Sequence, residues 1–197
     1  MVKPHRPHAE LKPELIALAG QMVEDGGMGA LNARRLAKAA DVSVGTLYNL
    51  FGHLDGVARA VNLETVAMLR TALEAALDEA EPETEARLIA LAGAYFDFAI
   101  ANTHRWDLLF RYRSETPSDG SLGEAEEELF ALLARATEGE GDPEMLRALW
   151  AAVHGVVELA LNRRMVGREA GREREHARLI VMAGLRGIAV LREEAAL

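Results

Sequence analysis

The sequence predicts an all-α protein of about nine helices. A three-helix head carrying a helix-turn-helix is joined by one long helix to a C-terminal helical bundle. Three observations lead there. Half of the 197 residues are apolar, alanine, leucine and glutamate are frequent, and β-branched runs are scarce, which favours helix. Apolar residues recur at spacings of three and four along most of the chain. The stretch 32–51, NARRLAKAADVSVGTLYNLF, divides into two short amphipathic helices around a tight turn.

Composition narrows the function. There is no cysteine, so disulfide frameworks and thiolate metal sites are excluded. No segment approaches the roughly 18–20 apolar residues of a membrane span. The first residues lack the apolar core of a secretory signal, and a cytoplasmic protein is expected. Net charge is −9, unevenly distributed. Up to residue 56, Lys3, Arg6, Lys12, Arg34, Arg35 and Lys38 balance Glu10, Glu14, Glu24, Asp25, Asp41 and Asp55. The whole deficit therefore lies in the body, and an acidic body orients the locally cationic end toward a polyanion.

Residues 1–9 read as an arm in which Pro4 and Pro7 oppose helix and Lys3, His5, Arg6 and His8 supply cations. Such an arm reaches a DNA minor groove or has no role. A first helix over Leu11–Glu24 buries Leu15, Leu18, Ala19, Met22 and Val23 and stops at Gly26-Gly27. Leu36, Ala37 and Ala40 give the next helix its apolar face, with Ala37 small where two helices cross. Asp41 takes the left-handed turn position. Ser43 caps a third helix whose inner face is Val42, Leu47, Leu50 and Phe51. Arg34, Arg35, Lys38, Val44, Gly45, Thr46, Tyr48 and Asn49 remain outside. This is the division a helix-turn-helix requires: one helix crosses phosphates, and the next lays its N-terminal residues along base edges. Thr46 and Asn49 hydrogen-bond edges or phosphates, Val44 packs on a thymine methyl, Gly45 permits close approach, and Tyr48 offers a ring and a hydroxyl.

Ala37, Val42, Ser43, Gly45, Thr46, Leu47, Tyr48 and Phe51 fall in step with the DNA-binding domain of the TetR family of bacterial transcriptional regulators, which this stretch resembles. The resemblance implies that Arg34, Arg35, Lys38, Ser43, Val44, Gly45, Thr46, Tyr48, Asn49 and His53 meet double-stranded DNA. Two departures stand out. Leu50 replaces the usual His or Tyr before the phenylalanine, and Leu54 replaces a lysine that commonly grips a phosphate. His53 and the amides of the following helix would compensate in part, and weaker or differently spaced contacts are expected.

The helix from Leu54 to Ala80 links the head (1–53) to the body (54–197) and is a natural lever. Helices follow over 84–102, 104–112, 124–137, 144–165 and 174–192, with a loop at 114–123 and a basic connection at 167–171. Trp150, His154 and Gly155 resemble the W-x-x-x-H-G stretch of one C-terminal subfamily of these regulators, whose ligand pocket lies near that helix. Phe96, Ile100, Trp106, Leu109, Phe110, Trp150, His154, Val157, Glu158 and Leu161 are the candidate pocket, an apolar lining with a few polar groups. The competing reading is plain core. His154 and Glu158 have the spacing of a metal pair, but two ligands from one helix make no site, so no metal, cofactor or catalytic residue is assigned. Val153, Ile180, Ala183, Gly184, Gly187, Ile188 and Leu191 are the expected dimer interface, small residues admitting a partner helix.

The combined expectation is a homodimeric repressor released from a palindromic operator by a small molecule. The rival is an all-α enzyme or protein-interaction module whose helix-turn-helix is vestigial. The missing lysine and the negative charge favour that rival.

Overall fold

A computed structural model describes residues 7–117, 119–162 and 172–195, without side chains at His8 and 188–195. Among these residues there are nine α-helices, one short 3-10 turn and no strand. The arm residues Lys3, His5 and Arg6 and the connection 167–171 lie outside the described residues.

Helix α1 spans His8–Gly26, three residues earlier than expected. Pro7 stands just outside the first turn, where its fixed φ suits helix entry. Gly27, at φ 68°, ends α1, and its N–H bonds the Val23 carbonyl at 2.8 Å. A 3-10 turn at Met28–Ala30 leads into α2, Ala33–Ala39. Asp41 adopts the left-handed conformation (φ 56°), as its turn position predicts. Helix α3, Val44–Phe51, follows and stops at Gly52, φ 75°. Helix α4 then runs Leu54–Glu79. The others are α5 Thr84–Ala101, α6 Thr103–Arg111, α7 Ser121–Ala136, α8 Pro143–Leu161 and α9 Glu173–Ala195.

Two helix ends differ from expectation for local reasons. The α7 start moves back to Ser121 because Asp119 accepts from the Ser121 N–H and hydroxyl, at 3.1 and 2.6 Å. The α8 end moves back to Leu161, where the Asn162 amide donates to the Glu158 carbonyl at 2.6 Å.

The chain packs as two compact units. The first comprises the stretch to Ala67 together with Asn102–Ala125; the second comprises Met68–Ala101 and the stretch from Glu126. The expected division at 53/54 is one of function; by packing, the first unit also takes in the start of α4, all of α6 and the first turn of α7. Its core joins Leu11, Leu15, Ala19 and Val23 of α1 with Leu36, Ala40, Leu47, Val57, Ala58, Val61 and Leu108. Leu54 packs against this core. The departure from lysine thus serves the interior. In the second unit α9 packs along α5 and α8, burying Leu88, Leu91, Leu149, Val153, Val157, Ala177 and Val181.

Candidate nucleic-acid interface

The motif is fixed by its caps. The Asn32 side chain accepts from the Arg34 and Arg35 N–H groups at 3.0 and 3.2 Å, opening α2. Sequence reasoning did not single out Asn32, although its place before an apolar-periodic run is an N-cap signal. Ser43 Oγ accepts from the Thr46 N–H at 3.0 Å, as expected, and lies 2.9 Å from Thr46 Oγ1. The two hydroxyls are therefore bonded to each other. The α2–α3 turn closes through the Val42 N–H on the Ala37 carbonyl, 2.9 Å.

With Leu36, Ala37 and Leu47 buried, α2 and α3 turn the predicted residues outward. Arg34, Arg35, Lys38, Ser43, Gly45, Tyr48, Asn49 and His53 are exposed, and Val44 and Thr46 half-exposed. Tyr48 is 43% exposed. A Cβ built at Gly45 would meet only Ser43 Oγ, at 3.5 Å, an ordinary contact. Nothing within the chain requires glycine there. Lys12 of α1 lies over the Phe51 ring at 5.7 Å, tying α1 to α3.

The start of α4 is held by groups that sequence reasoning passed over. Asp55 accepts from the Tyr112 and Ser114 hydroxyls and from the Glu115 and Thr116 N–H groups, the last two at 3.0 Å. The Tyr112 hydroxyl is the main cause holding the Asp55 carboxyl below its ordinary range. Burial, then the hydrogen bond to Asp55, push Tyr112 up to about 12. One turn on, Arg59 donates to Asp119 at 3.2 Å and to the Pro117 carbonyl at 2.9 Å.

The candidate pocket residues divide between the units. Trp106, Leu109 and Phe110 belong to the first, where the Trp106 and Phe110 rings lie 4.5 Å apart; the other seven belong to the second. There Tyr95, not predicted, is hydrogen-bonded to His154 Nδ1 at 2.9 Å. His154 stacks on Trp150 (5.3 Å, 24°), and Trp150 meets Phe130 edge-on at 5.3 Å. Burial draws the His154 pKa down against the opposing charge of Glu158. Burial also raises the Tyr95 phenol, with a Trp150 hydrogen bond opposing in part. Phe96 and Val157 are buried, Leu161 is half-buried, and Ile100 is exposed. Among the described residues no group of three or more His, Asp or Glu is placed to hold a metal ion.

On the expected dimer helices, Val153 is buried within its own unit, and a Cβ at Gly184 would lie 3.0 Å from Leu149 of α8. Ala183 and Gly187 are exposed and Ile180 half-buried; the side chains of Ile188 and Leu191 lie outside the described ones. Leu159 and Leu179, not predicted, are large and exposed. Among the described residues no helix is long and apolar enough to cross a membrane.

Fold and motif together define an all-α helix-turn-helix protein. Residues 88–183 match the family model described as Tetracyclin repressor-like, C-terminal domain. A protein of unknown function from Rhodococcus sp. RHA1 is 28% identical, with 94% of this chain and 97% of that one covered and a TM-score of 0.76. A TetR-family transcriptional regulator from Streptomyces coelicolor shares the fold at 17% identity over 94% of this chain and 85% of that one, TM-score 0.70. A TetR transcriptional regulator from Rhodococcus sp. RHA1 does so at 16% identity over 91% and 98%, TM-score 0.70. No curated protein matches the chain. The part of the chain from 88 to 183 is thus similar to the C-terminal domain of Tetracyclin repressor-like proteins, and the fold is TetR-like.

Proposed function

We propose that the protein is a cytoplasmic homodimer that binds a palindromic operator through α2 and α3, represses transcription, and is released by a small molecule bound in its second unit. The observation that carries the DNA reading is the outward face of the motif. It combines exposed cations on α2, an exposed Tyr48, and a glycine on α3 that no internal neighbour requires. Arg34, Arg35 and Lys38 meet phosphates; Val44, Thr46 and Asn49 meet base edges. His53 and the α4 amides take over part of what the absent lysine supplies elsewhere. Exposed Leu159, Leu179, Ala183 and Gly187 on α8 and α9 support a two-helix contact with a second copy. Two recognition helices would then sit about 34–36 Å apart. The Tyr95–His154–Trp150 cluster supports a mainly apolar effector with a hydrogen-bonding group. A coupling of about 1–3 kcal/mol between effector and operator is enough for a switch.

Selection of bound sites from a random duplex library at low salt tests this. Enrichment of a palindrome is the expected result. No enrichment by a folded dimer would overturn the DNA reading. A compound that raises the melting temperature yet leaves operator affinity unchanged would count against release by that compound.

A further inference from the structure

Arg105 carries a charge inside the first unit with only 5% of its surface exposed. Its Nε donates to Glu24 Oε1 of α1 at 2.6 Å, and its Nη1 donates to Glu64 Oε2 of α4 at 2.9 Å and to Thr65 Oγ1 at 3.3 Å. Gly20 makes its seat: a Cβ there would stand 2.2 Å from Nη2 and 3.2 Å from Glu64 Oε2. The neighbouring His104 donates from Nδ1 to the Glu24 carbonyl at 2.7 Å, and its ring lies against Gly27. The first turn of α6 thus grips the end of α1 twice.

These two partners bracket the motif. The end of α1 leads through the 3-10 turn to Asn32, which caps α2; two residues, Gly52 and His53, separate the end of α3 from the start of α4. One guanidinium therefore fixes both helices from which α2 and α3 hang. A single residue, Asn102, separates α6 from α5 of the second unit. Replacing a buried ion cluster by an apolar group of similar size is often neutral for stability, so such a cluster is retained for placement at least as readily as for stability.

We propose that Arg105 is a positioning residue: α6, through the Glu24–Arg105–Glu64 triad, sets α1 and α4 so that the motif meets its half-site in register. This deepens the DNA-binding reading above and rests on it. Two full-length variants test it. R105M removes the charge and keeps the length; G20A keeps every charge and displaces the guanidinium, while favouring α1 as a helix. Each is titrated with the selected palindrome, with the same duplex carrying one extra central base pair, and across a salt series.

The expected result is a loss of about tenfold or more on the native duplex, the scale of a lost charge-assisted hydrogen bond. The salt slope stays unchanged, because no phosphate contact is removed, and discrimination against the inserted base pair shrinks. Unchanged affinity, or fewer active molecules with discrimination intact, would overturn the proposal. If the wild type selects no duplex, the DNA reading fails by itself, and amide exchange decides the triad. Faster exchange over the end of α1 and the start of α2 in both variants supports it; wild-type protection overturns it.

Discussion

At the scale of the residue, Gly45 separates folding from function most cleanly. A helical glycine costs up to about 1 kcal/mol relative to alanine, and its Cβ space is open. G45A is therefore expected to raise the melting temperature slightly and to weaken duplex binding, read by thermal melts and by titration of the selected duplex. His154 gives a second outcome. Its folded pKa lies below the ordinary 6.5 because it is buried, so the unfolded chain binds the proton first as pH falls. Stability is full above about 6.5 and declines below it. Urea melts between pH 5 and 8 should show this decline in the wild type and a flatter profile in H154Q. Ser43 and Asp41 were legible because capping and left-handed turns are local chemistry. Arg105 was not singled out, although a charge three and four residues before buried Leu108 and Leu109 marks it as lying on the apolar face of α6.

At the scale of the element, α4 shows how a helix start is fastened from afar. Asp55 takes four hydrogen bonds from 112–116, a segment some sixty residues on. D55A should destabilise by about 1–2 kcal/mol, the order for lost hydrogen bonds to a charged group with partial solvent access, and should speed amide exchange at Glu115 and Thr116. The same staple gives an alkaline limb. Tyr112 keeps its proton to about 12 in the folded state against an ordinary 10.0. Its contribution is whole below pH 10 and lost as pH rises toward 12; Y112F should remove that limb in melts across pH 9–12. The helices themselves were legible from apolar spacing. Their ends shifted where a cap came from a loop side chain, as at Asp119, or where the chain's own carbonyls were recaptured, as at Asn162. The staple was not legible, because nothing in the spacing of Asp55 and Tyr112 announces that they meet.

At the scale of the whole molecule, fold class and helix order followed from periodicity and one motif. The grouping of helices did not, because it depends on which distant segment fills the remaining core. Leu108 of α6 completes the cluster that α1–α4 build. Residues 1–56, which hold the entire motif and are electrically neutral, are accordingly expected to be unfolded or molten as an isolated fragment. A broad, weakly cooperative melt by circular dichroism is the anticipated reading, and a sharp transition would contradict it. The full chain should sediment as a dimer.

The staple on Asp55 and the seat of Arg105 also bear on modularity. The proposed function invites an exchange of heads to give the body a new DNA target, and the sequence offers an obvious cut near residue 53. Such a chimera would strand Glu24 away from the donors of His104 and Arg105, and a cut moved past residue 55 to keep the start of α4 would strand Asp55 from 112–116 as well. A transplantable reading module from this protein is discontinuous and must carry α6 and the loop behind it; inheritance by simple fusion is closed to it.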